Sequence, residues 1–323
     1  MKIGNLDFPL GLSLAPMAGY SDRAMRLLCH KRGAEYSVSE MVSATAVTFG
    51  DKKTALLAAI RPDEGPVGLQ IFGSKHDVMG EAARIITTEY EDTHPAFIDI
   101  NMGCPVNKIF SNGEGSALMR DPKKIEEIVL AVKKAVTIPV TVKIRTGIDE
   151  KNINAVECAL AAEAGGADAI CVHGRTRKQM YSGSVDRKTI ENVKKSVHIP
   201  LIANGDVCSV DDAMSMIRDT GADGIAIGRG AVGNPFIFSE IRAALLGEEY
   251  VLPTLDQRID EALCQLRIAV EEKGERVAVS EARKQIALYL KGFRGASLVR
   301  GEINKALTYD EVERIFEFVR GSE

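Results

Sequence analysis

No C-x-x-C pair occurs in this chain, and none of its six cysteines, at positions 29, 104, 158, 171, 208 and 264, is spaced with a histidine as a zinc-ligand set. Neither a metal site nor a disulfide framework is indicated, and free thiols in a reducing compartment are the expectation. Long apolar runs are missing too. None approaches the roughly 20 residues needed to span a bilayer, and Met1 to Leu14 lacks the basic start and long apolar centre of a signal peptide. No membrane partner and a cytoplasmic location are therefore expected. Nor is there an excess of positive charge: 41 Lys and Arg against 45 Asp and Glu give a formal net charge of −4. That balance argues mildly against a nucleic-acid partner unless a local patch reverses it. What is present, 45% hydrophobic and 27% charged residues, suits a globular protein with a sizeable core and no disorder.

Eight strand-like apolar runs bounded by turn residues recur along the chain: Leu12 to Gly19, Tyr36 to Val42, Val67 to Gly73, Phe97 to Cys104, Val140 to Gly147, Ala169 to Arg175, Pro200 to Asp206 and Gly224 to Arg229. Amphipathic stretches with helical spacing lie between most of them, for example Lys123 to Val136 and Ile153 to Ala164. Eight βα alternations in a chain of 323 residues predict an α/β fold, a (β/α)8 TIM barrel, with a doubly wound open sheet as the structural rival. Internal echoes favour the barrel: Ile138-Pro139 and Ile199-Pro200 open strands, and Gly166-Ala-Asp168 and Gly221-Ala-Asp223 open the strands that follow. Strands stop after Phe238. Helical patterns over Gln257 to Glu272, Val279 to Lys291, Ala296 to Ala306 and Tyr309 to Val319 predict a small C-terminal helical bundle. The expected division is a catalytic barrel over 1–246 and a helical domain over 247–323. Within the latter, Arg283, Lys284, Lys291, Arg294, Arg300 and Lys305 meet only Glu302 between positions 283 and 305. Such runs are commonly a solvated helix face, yet this one locally offsets the acidic average.

In a barrel the functional face is the C-terminal end of the strands. The first strand delivers Pro16, Met17 and Ala18 there, the third Gln70, the fourth Asn101 and Cys104, the fifth Lys143 and Arg145. The sixth delivers His173 and Arg175, the seventh Asn204, Gly205 and Asp206, and the eighth Gly228 and Arg229. Any one of these is explicable as a satisfied core residue. Polar groups at so many strand ends are harder to explain without a ligand. Pro105 forbids right-handed helical geometry at Cys104, so the thiol is held in a turn above the strand end, although a lone cysteine is more often a small buried hydrophobe. Lys143 on a buried strand needs a partner, either an electron-rich cofactor carbonyl or an acid. Gly205, Gly228 and Arg229 suit the phosphate site usual after the last two strands of a barrel. The G-x-G-x-x-G match from Gly228 to Gly233 is weak as a dinucleotide signature, since Asn234-Pro235 follows at once and no downstream strand carries a ribose-binding acid.

Six segments together carry a family resemblance: Ala15-Pro-Met-Ala-Gly-Tyr-Ser-Asp22, Asn101-Met-Gly-Cys-Pro105, Gly115-Ser-Ala-Leu118, Val142-Lys-Ile-Arg-Thr-Gly147, Val172-His-Gly-Arg-Thr176 and Ala203-Asn-Gly-Asp206. Ile227-Gly-Arg-Gly-Ala231 and Tyr289-Leu-Lys-Gly-Phe293 extend it to the helical end. Over nearly its whole length the chain resembles the tRNA-dihydrouridine synthases, near the bacterial B-type group. It departs from the family pattern at Ser184-Val-Asp-Arg187, where a tryptophan is frequent, and at Gln285, where histidine is frequent.

The resemblance implies an FMN-bearing barrel, NADPH as reductant, and a helical domain that helps hold tRNA. It further implies that Pro16, Met17, Ala18, Gln70, Lys143 and His173 surround the flavin, and that Asn204, Gly205, Asp206, Gly228 and Arg229 hold ribityl and phosphate. Cys104 would be the proton donor to C5 of uracil. Asn101, Arg145 and Arg175 would lie near the base and its flanking phosphates, and Arg283, Lys284, Lys291, Arg294 and Arg300 would contact tRNA. Relatives are often monomeric; the residues themselves do not fix oligomeric state. Two other readings stay open on sequence alone. One is a dihydroorotate-dehydrogenase-like FMN enzyme acting on a small pyrimidine, and the other is a flavin-containing RNA-binding protein without turnover.

Overall fold

A computed structural model describes residues 1–320 of the chain. Its centre is a ring of eight parallel strands: β1 (Leu12–Leu14), β2 (Tyr36–Val38), β3 (Val67–Phe72), β4 (Phe97–Asn101), β5 (Val140–Arg145), β6 (Ala169–His173), β7 (Leu201–Asn204) and β8 (Gly224–Ile227). Each strand pairs with its neighbour in sequence. Closure comes from β8 against β1, with Ile225 opposite Leu12, and from β2 against β3, with Ser37 opposite Val67. A closed parallel ring with a helix after most strands is the (β/α)8 barrel, so the open-sheet rival is excluded. The strands are buried on both faces, which is why they read as near-continuous apolar runs rather than alternating ones.

The ordered strands are shorter than the apolar runs that announced them. The run from Tyr36 to Val42 splits: β2 stops at Val38, and a two-residue strand, Val42–Ser43, pairs separately with Ile71 and Phe72. Between them the Ser39 hydroxyl donates to the Glu40 carbonyl at 2.9 Å and accepts from the Gln70 amide at 3.0 Å, turning the chain out of the ladder. The N-terminus has a role the sequence did not announce. Lys2–Ile3 and Leu6–Asp7 form an antiparallel hairpin whose Ile3, with Phe8, packs into the barrel interior against Tyr36 and Phe97. The Phe8 and Tyr36 rings lie 4.6 Å apart. Gly68 makes room for this floor, because a Cβ there would sit 2.1 Å from the Phe97 ring.

Several helices outside the ring begin where a side chain satisfies a first-turn amide. Asp22 accepts from the Met25 amide at the head of Arg23–Lys31, and Asp121 and Asp186 cap the helices after β4 and β6 in the same way. From Leu255 the chain is helical: Leu255–Lys273, Glu275–Ile286, a 3₁₀ turn over Ala287–Leu290, Ala296–Ile303 and Tyr309–Arg320. These helices enclose a core of their own, including Ile259, Leu266, Ile286, Tyr289, Val312 and Phe316. They join the barrel through Leu27 and Leu28 packed on Ile268, Ala269 and Ala278. A two-pronged ion pair reinforces the seam: Arg32 donates to the two carboxylate oxygens of Glu261 at 2.9 and 2.6 Å. Among the described residues, no helix is long and apolar enough to cross a membrane.

Candidate active site

The turn after β4 is built around one amide. Asn101, at the strand's last position, accepts at Oδ1 from the backbone N–H of Gly103 at 3.2 Å and of Cys104 at 2.9 Å. Its Nδ2 donates to Gln70 Oε1 at 2.8 Å, and Gln70 Nε2 donates to Asp99 Oδ2 at 2.6 Å. The other oxygen of Asp99 accepts from Thr141 at 2.6 Å. An ionised carboxylate only accepts, so Asp99 obliges Gln70 to turn its nitrogen inward and its oxygen toward Asn101. The polarity of the chain thus ends by holding the cysteine's own amide. From outside, Ser116 secures the Cys104 carbonyl, donating through its hydroxyl at 2.7 Å and its amide at 3.1 Å. Gly115 has to be bare there, since a Cβ would lie 2.9 Å from that of Cys104.

Cys104 itself is half-buried. Burial pushes its thiol above the ordinary value, against smaller opposing effects from the Val106 amide and Arg145. The group is therefore a thiol, a proton carrier, at neutral pH. Beside it in register, β5 sets Lys143 opposite Asn101. The Lys143 ammonium donates to Asn204 Oδ1 at 2.8 Å, and Asn204 is fixed by donating its own Nδ2 to the Ala226 carbonyl at 2.7 Å. Among the described residues no acid pairs with Lys143, and burial draws its pKa down. Below it, Pro16, Asp99, Thr141 and Cys171 help line a cavity of about 20 Å³, room for about one water molecule. His173 is buried as neutral imidazole. Desolvation comes first in depressing its pKa, followed by the cations Lys143, Arg145, Arg175 and Arg229.

The two arginines expected near the base and its flanking phosphates also hold the protein together. Arg145 donates to the carbonyls of Gly103 (2.8 Å), Thr176 (3.0 Å) and Met180 (2.9 Å), lacing the cysteine turn to the loop after β6. Arg175 grips Asp206 with two bonds, at 2.8 and 2.6 Å, and donates to the Ser182 and Gly183 carbonyls. Asp206 also accepts from Arg229 at 3.3 Å. Glycine at the rim permits close packing. Gly205 lies at φ +126°, where an added Cβ would come within 2.7 Å of Val185 and 3.0 Å of His173. The Arg229 side chain stays 55% exposed, stacked 5.0 Å over the Tyr181 ring.

The remaining glycines of the G-x-G-x-x-G run have packing duties. A Cβ at Gly230 would collide with the Val207 carbonyl at 2.1 Å, and one at Gly233 with Leu288 of the helical segment at 2.4 Å.

Pro16, Met17 and Ala18 form a turn after β1 in which the Met17 carbonyl accepts from the amides of Tyr20 and Ser21. In the helical segment, Lys291, Arg294 and Arg300 are exposed and make no ion pair among the described residues. Arg283 donates to the Asn304 carbonyl at 2.9 Å, and Lys284 lies 4.8 Å over the Tyr20 ring. Asp99, Thr141 and Ser116 were missed by reasoning from strand ends. Asp99, sharing one face of a buried strand with Phe97 and Asn101, was the available signal.

A thiol, a lysine and a neutral imidazole at the C-terminal mouth of a parallel barrel define an α/β-barrel enzyme, with its chemistry where that fold places it. The comparisons make this specific. The family model for dihydrouridine synthase matches residues 13–319, and the chain belongs to that family of oxidoreductases. It is 40% identical over 309 residues to the tRNA-dihydrouridine synthase B of Pseudomonas aeruginosa, covering 94% of this chain and 91% of that protein. The Pseudomonas putida protein of the same name is 39% identical over 306 residues, covering 94% and 89%, and that of Pasteurella multocida is 37% identical over 305, covering 94% and 91%. Among solved structures, a 6-hydroxypseudooxynicotine amine oxidase of Pseudomonas geniculata N1 superposes with a TM-score of 0.59 at 14% identity. The chain spans 52% of that protein, and the likeness is one of fold.

Proposed function

We propose that this protein is an FMN-dependent tRNA-dihydrouridine synthase that reduces the C5=C6 bond of uridine in tRNA, with NADPH as the reductant and Cys104 as the proton donor. The observation that carries the reading is the Cys104 turn: a half-buried thiol kept protonated, its amide held by Asn101, which stands in register with Lys143, a lysine without an acid partner among the described residues. The relatives, tRNA-dihydrouridine synthases by name, point the same way.

The donor set fits a phosphorylated flavin. Backbone left open at Gly228, where a Cβ would meet nothing nearer than 3.5 Å, with Arg229 at the rim, suits a phosphate, and an amine held by a neutral amide suits an electron-rich ring carbonyl. The chemistry a flavin held there would supply is hydride donation to C6 of the pyrimidine. Lys143 would be the cation that stabilises negative charge on such a group, and an anionic partner would restore the positive charge that burial weakens. His173 offers a neutral imidazole beside it. Pro16, Met17 and Ala18 form the wall at the first strand's end. Gln70, with its amide committed to Asp99 and Asn101, backs the wall and fixes its direction. Arg175 orients Asp206 toward the ribityl and phosphate side, while Asn204 steadies Lys143.

Hydride addition at C6 leaves an enolate whose C5 needs a proton. Cys104 supplies it from its S–H, and the thiolate left behind is reprotonated from water. The second N–H of Asn101 faces the Met41 sulfur at 3.6 Å, a weak contact it can exchange for a uracil carbonyl. Arg145 acts here as a positioning residue that keeps the turn and the loop after β6 at a fixed separation. A base must leave its stack to reach this mouth, so a loop uridine is the substrate. The helical unit over 247–323, with its own core, presents Arg283, Lys284, Lys291, Arg294 and Arg300 to the tRNA backbone in the cytoplasm.

The test is nucleoside mass spectrometry of unmodified tRNA transcripts after incubation with the protein, FMN and NADPH. A two-dalton gain mapped to one uridine is expected. Flavin binding and NADPH oxidation without any such gain would overturn the proposal in favour of a small pyrimidine substrate.

A further inference from the structure

A line of three buried polar side chains runs through the helical segment and ends on the barrel. Tyr289 donates its hydroxyl to Gln265 Oε1 at 2.8 Å; Gln265 Nε2 donates to Gln285 Oε1 at 2.8 Å; and Gln285 Nε2 donates to the carbonyl of Gly19 at 3.0 Å. All three side chains are at most 3% exposed. Their direction is forced from the barrel end. A backbone carbonyl only accepts, so Gln285 must turn its nitrogen to Gly19 and its oxygen to Gln265. Gln265 in turn must present its nitrogen to Gln285 and its oxygen to the tyrosine, whose hydroxyl burial keeps protonated. Every member is satisfied in one arrangement only.

Gly19 ends the turn that carries Pro16, Met17 and Ala18. Its amide donates to the Glu40 carboxylate, so both of its backbone polar groups are held by side chains. The residue before Gln285 grips the same turn, with the Lys284 ammonium over the ring of Tyr20. This hold is separate from the apolar seam at Leu27, Leu28, Ile268 and Ala278, where the helices pack on the barrel.

We infer that Gln285 is a positioning residue: through the Gly19 carbonyl, the helical segment sets the Pro16–Met17–Ala18 turn that walls the cofactor side of the barrel mouth. The inference rests on the functional reading above for what the turn faces. It predicts that loosening Gln285 disturbs the first strand's end before it disturbs the barrel.

Hydrogen–deuterium exchange on the full chain tests this directly, with FMN titration into the apoprotein as a second readout. In Q285M the amides of residues 17–21 are expected to exchange about 10-fold faster, with strands β3 to β6 unchanged and FMN bound about 5- to 10-fold more weakly, the effect of one lost buried hydrogen bond. Q285H restores both, because a neutral imidazole accepts on one nitrogen and donates on the other. Y289F cuts the far end of the line, so it lowers the melting temperature and moves neither readout. Should Q285M prove insoluble, Q285N keeps the amide but is one methylene too short to reach both partners, and gives the same readouts. Unchanged exchange at 17–21, or an equal rise in Y289F, overturns the inference. Failure of the wild-type apoprotein to take up FMN would sink the functional reading instead, leaving the exchange comparison to decide the role of Gln285.

Discussion

The barrel mouth and the helical segment use polar residues in opposite ways. At the mouth, Gln70, Asn101, Arg145 and Arg175 are buried and commit their hydrogen bonds to one another, to Asp99 and Asp206, and to loop carbonyls. On the helical segment, Lys291, Arg294 and Arg300 stand in solvent with no ion pair among the described residues. Fixed dipoles and locked donors suit chemistry, because they need no reorganisation when charge develops. Free cations on flexible stems suit a polyanion, whose counterions they displace. The net charge of −4 concealed this division, since acidic residues elsewhere mask the cluster.

The sharpest way to test the division is to change each region and ask which constant moves. Cys104→Ala should lower the turnover number for dihydrouridine formation by about 10²- to 10⁴-fold, the usual worth of a general acid, and leave tRNA affinity and flavin content in place. Single-turnover mass spectrometry with a parallel binding isotherm checks both halves. Undiminished turnover would remove the thiol from the mechanism. Because burial raises the Cys104 pKa above its ordinary 9.0, the alkaline fall in wild-type rate should lie beyond that value rather than below it.

Charge reversal at Arg294 and Arg300 should do the converse. Binding of tRNA should weaken about 10- to 100-fold at low salt, and the slope of log K against log salt should shrink by about 1 to 2, with the turnover number at saturation preserved. Identical slopes would erase the contrast between the two regions.

How far the sequence foretold each region follows from the range of the interactions involved. The eight strands were legible because a doubly buried parallel strand is a local apolar run, and the cap residues Asp22, Asp121 and Asp186 act within three residues. The strand ends were not. The run from Phe97 to Cys104 stays apolar to the eye, yet the ladder stops at Asn101 because that side chain captures the next amides. The identities of Gln70, Asn101, Arg145 and Arg175 could be read off strand ends, but not the direction of their bonds, which depends on Asp99, Thr141 and, for Arg145, carbonyls 31 to 42 residues away. Ser116 sat inside a quoted motif with no visible purpose until the fold set it on the Cys104 carbonyl. Gln285 looked like a mere departure in a basic helix; its partner, Gly19, lies 266 residues away.

The seam between the regions gives a smaller effect. Arg32 is about one-third exposed while Glu261 is mostly buried, so solvent screens one end of their ion pair. Glu261→Ala should lower stability by about 1 to 2 kcal/mol, less than the loss of a fully buried pair. Chemical denaturation checks this, and a second transition, with the helical segment melting first, would show that the pair couples the two cores. A single transition with an unchanged midpoint would mean that the apolar seam suffices.

Acid should separate the regions most finely, because all five histidines, at 30, 76, 94, 173 and 198, lie before the helical segment. Among them His173 is held neutral by desolvation, with Lys143, Arg145, Arg175 and Arg229 adding to the effect, so its pKa in the folded apoprotein falls far below the ordinary 6.5. An unfolded chain binds a proton at His173 below 6.5 while the folded chain does not, so the stability this histidine contributes is complete above that pH and is lost as pH falls. The limiting slope is about 1.4 kcal/mol per pH unit. Carboxyls with raised pKa, such as Asp99 and Glu64, titrate with the opposite sign, but they are common to wild type and His173→Gln and cancel in the difference. Urea midpoints of the two apoproteins should therefore converge as pH drops from 6.5 toward 5, with wild type losing its lead. Parallel curves would show that the imidazole takes up a proton in the folded barrel and that the mouth is wetter than its burial implies.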